Sequence, residues 1–345
     1  MKIKKNFTRP FCVSLNRPLQ LKRNFIESRS GFIVALQIDD VWGYGEVAPL
    51  PYFHSEMQVE KEIDLALKVI SNWQWSIEDI KNNPCFFGRK LQEYPFSASV
   101  MWGIETALWN VSSLFCNTTP RKLWKSTAGD IVEINGLLSG KYNDIKAQAD
   151  ILQKQQVQTV KLKVGRNSLE EDLCNIKYIL DLNNKWKMRL DANRSWSLEE
   201  ASVFIDSIAN YNIEYIEEPV SKELFSQLPQ NVNIAWDESV YEQKIPPQHP
   251  PFPKVVVLKP ALIGGIGFTF EWISWANNND ILCVISSCFD TSIGLVMLAN
   301  IAATTSMASG LDTYKWLEED TLYHRFSTDS ASIDLSQYLQ QEICV

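Results

Sequence analysis

From Ile131 onwards, short apolar runs alternate with segments whose apolar residues have helical spacing. Such runs are typical of buried strands, and their alternation with helices is typical of βα units around a parallel sheet. The predicted strands are Glu133–Leu138, Thr159–Val164, Met188–Asn193, Ile213–Glu218, Ile234–Glu238, Lys254–Pro260 and Ile281–Ser287. We therefore predict a (β/α) barrel in this part of the chain.

The alternative arrangement of such units is an open, doubly wound sheet that binds a dinucleotide. That fold would place a glycine-rich turn after its first strand. The glycine cluster Gly264-Gly265-x-Gly267 instead follows the sixth predicted strand and lacks the required spacing. The barrel is the better prediction.

The first third of the chain has a different pattern. Gly31–Ile38 and Trp42–Val47 are apolar runs separated by Asp39-Asp40, which predicts a hairpin. Val59–Asn72 and Ser97–Leu114 have helical spacing, and the second is apolar enough to be buried. At 345 residues the chain exceeds the usual size of one core, so we expect a separate α+β domain here.

Composition excludes several classes of protein. The net charge is −8 and Lys4-Lys5 is the longest basic run, which argues against nucleic-acid or anionic-membrane partners. Seven cysteines without a C-x-x-C pair indicate reduced thiols, and no apolar stretch is long enough to span a bilayer. We expect a cytoplasmic protein, and composition leaves its oligomeric state open.

Charged residues occur at the ends of the predicted strands, one strand after another. In a (β/α) barrel, catalytic groups lie at the carboxyl ends of the strands. The steps 163 to 191, 191 to 217, 217 to 237 and 237 to 259 are 28, 26, 20 and 22 residues, each about one βα unit. The residues brought to one rim in this way are Lys161, Lys163, Asp191, Glu217, Asp237 and Lys259.

Three carboxylates on consecutive strands, Asp191, Glu217 and Asp237, can converge on one cation. They offer oxygen ligands alone, which favours Mg²⁺ over zinc or a softer metal. Any one of them alone would be as well explained as a helix cap or a salt-bridge partner. The register of all three, flanked by lysines, favours a metal site.

Lys161 and Lys163 are two residues apart on one strand, so both side chains point to the same face. Two ammonium groups held close to each other and to a cation lower each other's pKa, which makes a lysine a usable base. Lys259 lies four strands further on, about half-way round an eight-stranded barrel. This arrangement suits removal of a proton α to a carboxylate, with the metal stabilising the enediolate.

Motifs in this order resemble those of the enolase superfamily. They cover essentially the whole chain, because Gly43-Tyr-Gly45-Glu46-Val-Ala-Pro49-Leu-Pro51 resembles the capping loop of that family's amino-terminal domain. The barrel motifs are Thr-Val-Lys161-Leu-Lys163, Arg189-Leu-Asp191-Ala-Asn193-Arg-Ser-Trp196, Ile-Glu217-Glu218-Pro219, Trp236-Asp237-Glu238-Ser239 and Leu-Lys259-Pro-x-Leu-x-Gly-Gly. The resemblance implies a (β/α)7β barrel, an α/β fold with an amino-terminal α+β capping domain. The implied boundaries are 1–125, 126–315 and a carboxyl-terminal segment, 316–345, that packs back on the capping domain.

Within the superfamily, the Lys-x-Lys pair opposite a single lysine resembles the muconate-lactonizing-enzyme-like subgroup. No histidine falls on a barrel strand end, where mandelate-racemase-like members have their base. Ser286-Ser287, Ser292-Ile-Gly294-Leu and Gly310-Leu-Asp312-Thr look most like the o-succinylbenzoate synthase family. That family dehydrates 2-succinyl-6-hydroxycyclohexa-2,4-diene-1-carboxylate to 2-succinylbenzoate in menaquinone and phylloquinone biosynthesis, so the implied substrate is a small anionic dicarboxylate.

The resemblance also implies a role for each site residue. Asp191, Glu217 and Asp237 would bind Mg²⁺, for which Mn²⁺ can substitute. Lys163 would remove the α proton and return it to the leaving hydroxide, and Lys259 would stabilise the enediolate. Residues that would position or tune the site are Lys161, Arg189, Asn193, Ser286 and the backbone at Gly310. The choice of Glu217 over Glu218 rests on the resemblance alone.

Other functions stay open at this point. Relatives with the same residues racemise N-acyl amino acids, using both lysines as bases. A dipeptide epimerase would carry an Asp-x-Asp near the last strands, which Asp312-Thr-Tyr does not complete. A binding protein that kept the barrel without catalysis would be expected to lose a lysine or a metal ligand. Phe53-His54, beside the capping loop, could also contact the substrate.

Overall fold

A computed structural model describes residues 1–21, 24–51, 56–229, 231–249, 253–339 and 342–344. The predicted substrate contact at Phe53-His54 lies outside these ranges. No helix in the described ranges is long and apolar enough to cross a membrane.

The amino-terminal part consists of an antiparallel sheet followed by helices. The sheet has the order β1 (Lys5–Leu21), β2 (Asn24–Ile38), β3 (Val41–Val47), and the turn at Asp39-Asp40 confirms the predicted hairpin. The helices that follow are α1 (Glu56–Ile70), α2 (Ile77–Ile80), α3 (Phe86–Leu91), α4 (Ala98–Phe115) and α5 (Pro120–Trp124). The two long predicted helices, Val59–Asn72 and Ser97–Leu114, correspond to α1 and α4.

Strand β3 lies directly on the backbone of α4, and glycines make this contact possible. A Cβ at Gly45 would lie 1.9 Å from the carbonyl oxygen of Gly103, and one at Gly43 would lie 2.2 Å from the amide nitrogen of Val111. Glycine is required at both positions because any side chain would push the strand away from the helix. The glycines therefore hold β3 in close contact with α4.

The second part of the chain is a parallel barrel sheet with helices on its outside. Its strands are β5 (Asn135–Leu138), β6 (Thr159–Lys163), β7 (Lys187–Asp191), β8 (Ile213–Glu217), β9 (Ile234–Trp236), β10 (Val255–Leu258) and β11 (Leu282–Ile285). The helices are α6 (Tyr142–Lys154), α7 (Leu169–Leu182), α8 (Leu198–Ser207), α9 (Glu238–Gln243), α10 (Pro260–Ile263), α11 (Ile266–Asn278) and α12 (Ser292–Ala302). A 3₁₀ helix, Lys222–Gln227, connects β8 to β9.

The sheet closes through a short eighth segment. Ser309 forms a parallel bridge to Ile134, next to β5, and Gly310 forms one to Ser286, next to β11. These bridges join the two edge strands of the sheet, so the ring is complete. The predicted (β/α)7β barrel with an amino-terminal α+β domain is confirmed.

Two barrel helices begin after a serine that caps their first turn. Ser168 before α7 and Ser197 before α8 each accept a hydrogen bond from the backbone three residues on, at Glu171 and Glu200. The two glutamates return the contact to the serine backbone, which completes a capping box.

The last residues contact both parts of the molecule. Strand β12 (Ser332–Asp334) pairs with β4 (Ile131–Glu133), just before the barrel, and Leu317 bridges to Leu15 in β1. Two 3₁₀ helices, Asp312–Trp316 and Leu335–Tyr338, flank this segment. The domain boundaries 1–125, 126–315 and 316–345 stay a prediction.

Candidate active site

The carboxyl ends of three neighbouring strands carry Lys163, Asp191 and Glu217 in one row. Lys163 lies beside Asp191 in the register of β6 and β7, and Asp191 lies beside Glu217 in that of β7 and β8. Asp237 and Lys259 directly follow β9 and β10, the next strands of the sheet. The five residues therefore lie on one rim of the barrel, where parallel strands end together.

Lys161 lies between two carboxylates. Its Nζ donates to Oε1 and Oε2 of Glu217 at 2.8 and 2.7 Å and is 2.8 Å from Oδ2 of Asp191. Burial lowers the pKa of Lys161, but the attraction of Asp191 and Glu217 outweighs burial and holds the pKa well above its usual value. These two carboxylates hold Lys161 as a cation, and the lowering of its pKa close to a bound metal ion stays a prediction.

Lys163 has the opposite shift. Its Nζ donates to Oδ2 of Asp191 at 2.5 Å and to Oδ1 of Asn193 at 2.8 Å. Burial is the main cause that lowers the pKa of Lys163 below its usual value; Lys161 adds to the shift and Asp191 opposes it. A lowered pKa is the direction that a lysine general base needs, and for Lys163 the prediction holds.

Lys259 forms the other charged pair of the rim. Its Nζ donates to Oδ2 of Asp237. Burial lowers the pKa of Lys259, but Asp237 and Glu217 outweigh that effect and raise the pKa well above the usual value. Lys259 is thus held as a cation.

The carboxylates of Asp191, Glu217 and Asp237 offer oxygen ligands alone, and each residue is at most 1% exposed. As placed, they contact lysine ammonium groups, and no three acidic, histidine or cysteine side chains in the described ranges converge on one metal position. The set fits a hard divalent cation, because the ligand type is correct and Oδ1 of Asp237 is buried without a hydrogen bond from the described residues. These are the residues that could hold such a cation.

Glu218 has a different environment from Glu217. Its Oε1 accepts hydrogen bonds from the backbone of Asp237 and Ser239, at 2.9 and 2.8 Å. Its Oε2 accepts one from Nε of Arg194 at 2.7 Å. The structure therefore separates the two glutamates that the motif alone could not: Glu217 faces the lysines, and Glu218 orients the backbone around Asp237.

Asn193 connects Lys163 to a further carboxylate. Its Oδ1 accepts the hydrogen bond from Lys163, and its Nδ2 donates to Oε1 of Glu238 at 3.2 Å. The backbone φ of Asn193 is +46°, in the left-handed region that asparagine tolerates better than most residues. Glu238 and Arg194 stand in the quoted motifs, but the sequence analysis gave neither residue a role.

Arg189 lies one layer below the rim, beside Lys161 in the register of β6 and β7. Its Nη1 donates to Oδ1 of Asn135 at 3.0 Å and to the carbonyl of Ala308 at 2.7 Å, and its Nε donates to Glu214 at 2.5 Å. These contacts join β5, β7, β8 and the closing segment. Arg189 therefore connects four segments of the barrel beneath the site. Its predicted role in tuning the site would act through these structural contacts.

Ser286 and Gly310 meet at the closure of the barrel. The Oγ of Ser286 donates to the carbonyl of Gly310 at 3.4 Å. A Cβ at Gly310 would lie 2.8 Å from the same Oγ of Ser286. Nearby, Oδ2 of Asp312 accepts hydrogen bonds from the backbone of Leu137, at 2.8 Å, and from Lys315. The carboxylate of Asp312 is therefore engaged within the barrel.

Comparison with known proteins agrees with this fold. Residues 4–111 match the model of the MenC N-terminal domain, and residues 144–337 match the enolase C-terminal domain-like family. The dipeptide epimerase of Enterococcus faecalis V583, solved with Mg and the dipeptide L-Leu-L-Tyr, has a similar fold with a TM-score of 0.81 and 23% identity. That similarity covers 97% of both chains.

Sequence identity is higher with two bacterial o-succinylbenzoate synthases. The chain is 29% identical to the o-succinylbenzoate synthase of Pasteurella multocida over 342 residues, which is 95% of each chain. It is 30% identical to the o-succinylbenzoate synthase of Haemophilus influenzae over 333 residues, which is 94% of each. The chain therefore belongs to the o-succinylbenzoate synthase family of the enolase superfamily.

Proposed function

We propose that this protein is an o-succinylbenzoate synthase of menaquinone biosynthesis. The reaction breaks the C–H bond α to the carboxylate of 2-succinyl-6-hydroxycyclohexa-2,4-diene-1-carboxylate and the C–O bond of its hydroxyl group. Water leaves and the ring becomes aromatic. The observation that carries the proposal is the rim itself, where Lys163, Asp191 and Glu217 lie side by side in one row and the Asp237–Lys259 pair follows on the next strands.

A divalent cation, which we propose to be Mg²⁺ with Mn²⁺ as a substitute, would act when bound as a Lewis acid that makes the α proton more acidic. Asp191, Glu217 and Asp237 would hold it, since they are buried and supply oxygen ligands. Their present lysine contacts supply positive charge at the same oxygens. The lysine contacts and a bound cation would both compensate the buried negative charge of these three carboxylates.

In this proposal Lys163 removes the α proton and later returns it to the departing hydroxide. Asn193, whose Oδ1 is 2.8 Å from Lys163 Nζ, orients the amine that acts as the base. Lys259 stabilises the negative charge that develops on the carboxylate oxygens, a role that its cationic state supports. Lys161, Ser286 and Gly310 shape the surrounding site.

A dipeptide epimerase would be expected to hold the substrate amine with an Asp-x-Asp near the last strands, which Asp312-Thr-Tyr does not complete. Asp312 is 4% exposed, and its Oδ2 is occupied by the backbone of Leu137 and by Lys315. A carboxylate engaged in this way is unavailable to a dipeptide amine. This contact supports the synthase over an epimerase.

The test is Mg²⁺-dependent conversion of the hydroxycyclohexadiene carboxylate, followed by ultraviolet absorbance. We expect turnover by the wild type and its loss in Lys163→Ala and in Lys259→Ala. Lys187→Ala is the matched control, because Lys187 is an exposed lysine at the opposite end of β7.

Absence of turnover by folded, Mg²⁺-loaded wild type would refute the synthase. Racemisation of N-acyl amino acids would then be assayed with the same variants. Binding of the substrate without either activity would point to a barrel kept as a binding protein.

A further inference from the structure

Two glutamates of the amino-terminal domain are fully buried and bind the backbone of the barrel. Glu46 lies in β3 and Glu105 lies in the middle of α4, and both are 0% exposed. Neither belongs to the proposed catalytic set. A buried carboxylate needs hydrogen-bond donors, and here the donors come from the other part of the molecule.

Glu105 contacts the start of the helix that follows the sixth barrel strand. Its Oε2 accepts a hydrogen bond from the backbone of Gly267 at 2.8 Å, in the first turn of α11. A Cβ at Gly265 would lie 2.2 Å from Oε1 of Glu105, and the φ of Gly265 is +99°. Glycine at 265 therefore allows both the backbone turn and the close approach of the carboxylate.

The turn between Lys259 and Gly265 is tightly hydrogen bonded. The carbonyl of Lys259 accepts from the backbone of Leu262 and Ile263, at 2.9 and 3.0 Å, and that of Pro260 accepts from Gly265 at 2.8 Å. This turn, which includes α10, also packs against α4, the helix that carries Glu105. A displacement at Gly265 would therefore reach the end of β10 and Lys259.

Glu46 makes the equivalent contact after the seventh strand. Its carboxylate accepts hydrogen bonds from the backbone of Thr291 at 3.0 Å, from Oγ1 of Thr291 at 2.6 Å and from the backbone of Gly294 at 3.2 Å. These groups form the first turn of α12. A Cβ at Gly294 would lie 3.2 Å from Oε2 of Glu46, so glycine is favoured at this position too.

Both contacts have the same physical basis. The first backbone N–H groups of a helix lack partners within the helix, and the helix dipole favours negative charge at that end. Each glutamate supplies a hydrogen-bond acceptor to a helix that begins within eight residues of a strand end of the site. Within the described part of the chain, the side chains of Asp191 and Glu217 accept hydrogen bonds from barrel residues, namely Lys161, Lys163 and Asn193.

We propose that Glu105 and Glu46 are positioning residues, through which the docked amino-terminal domain fixes the Lys259 and Ser286 side of the active site. The proposal rests on the proposed function, since it takes Lys259 as a participant in the reaction. It adds that the amino-terminal domain holds catalytic geometry, beyond covering the substrate. Displacement of a catalytic group by about 1 Å can lower the rate about 100-fold.

The kinetic test compares Glu105→Ala and Glu105→Gln with a matched control. Glu62→Ala is suitable, because Oε2 of Glu62 accepts a hydrogen bond from the backbone of Ser97 at 2.7 Å, also at a helix start but within the amino-terminal domain. We expect Glu105→Ala to lower kcat about 10-fold or more with KM within about threefold. Glu105→Gln, whose amide oxygen can still accept from Gly267, should recover most of kcat.

Glu62→Ala should lower Tm and leave kcat within about twofold of the wild type. Loss of a helix-capping contact costs about 1 kcal/mol of stability, and this contact does not touch the active site. Equal kcat in folded Glu105→Ala and Glu62→Ala would overturn the proposal. If Glu105→Ala does not fold, Glu105→Asp takes its place, because it withdraws the carboxylate from Gly267 by one methylene group.

Hydrogen exchange gives a readout that needs no turnover. Glu105→Ala should accelerate exchange in residues 258–268, including the strand end at Lys259, and leave residues 284–294 unchanged. Glu46→Ala should do the reverse. If the wild type shows no turnover, the proposed function fails, but hydrogen exchange still tests whether the two glutamates hold the strand ends. Faster exchange confined to α11 and α12, without the strand ends, would overturn the positioning role.

Discussion

Lys161 and Glu217 form a bidentate ion pair inside the barrel, in which one ammonium group lies 2.8 and 2.7 Å from the two carboxylate oxygens. The residues belong to β6 and β8, so the contact spans the strand between them, β7. Glu217 is 0% exposed, and Lys161 also contacts Asp191. One lysine therefore compensates two buried carboxylates.

This relationship predicts how the stability of a Lys161→Met variant depends on metal. Without metal, two buried carboxylates lose their shared partner, and we expect the free energy of unfolding to fall by about 3–5 kcal/mol. Added Mg²⁺ should restore much of that loss, because it binds the folded state and supplies the missing charge. Thermal unfolding in EDTA and in Mg²⁺ measures both. An equal loss of Tm under the two conditions would contradict the shared role.

Arg194 should affect the proposed metal site without contacting any of its three carboxylates. Its Nε binds Glu218, which in turn orients the backbone of Asp237. We expect Arg194→Ala to weaken Mg²⁺ binding about 10- to 100-fold, the usual effect of losing an outer contact of a metal ligand. Titration calorimetry measures the affinity.

Glu242→Ala provides the control for Arg194. Glu242 binds the other end of the same guanidinium, at 2.8 Å, with a side chain that is 50% exposed. An exposed pair contributes little, so Mg²⁺ affinity should stay within about threefold of the wild type. Comparable losses of Mg²⁺ affinity in Arg194→Ala and Glu242→Ala would contradict the role given to the contact between Arg194 and Glu218.

Glu105 makes stability depend on pH. Burial raises the pKa of Glu105 to about 8, with Gly267 opposing and Glu271 adding to the shift. The folded state therefore binds a proton that the unfolded chain releases near pH 4.5, and this group lowers stability as pH rises from about 4.5 to 8. Glu105→Gln resembles the protonated acid and lacks this dependence.

The stability of Glu105→Gln relative to the wild type should therefore increase with pH, by roughly a few kcal/mol between pH 5 and pH 8.5. Urea unfolding at pH 5, 7 and 8.5 provides the comparison. A constant difference across this range would show that Glu105 is ionised throughout.

Much of the site follows from strand periodicity. The spacing of Lys163, Asp191 and Glu217 predicted their common rim, and the register of β6, β7 and β8 confirms it. Strand β1 was missed because Pro10 and Pro18 interrupt its pattern, yet β1 is an edge strand of its sheet, where proline is tolerated.

Contacts between distant segments could not be predicted in this way. The motif Glu217-Glu218 has no periodic signal that says which glutamate faces the lysines, since that depends on where Arg194 and Ser239 lie. The raised pKa of Lys161 depends on carboxylates from two other strands. Glu105 meets Gly267 only after the two parts of the chain have docked.

Asn193 offers the clearest separation of a catalytic effect from a structural one. Its Oδ1 holds Lys163, and its φ of +46° is a conformation that glycine adopts freely and alanine does not. We expect Asn193→Gly to lower kcat about 10-fold or more, because the base loses its orienting contact, while Tm stays close to that of the wild type. Asn193→Ala should lower kcat similarly and also cost about 1–2 kcal/mol of stability from backbone strain. Steady-state kinetics and thermal unfolding of both variants decide the matter, and full activity in Asn193→Gly would remove Asn193 from the mechanism.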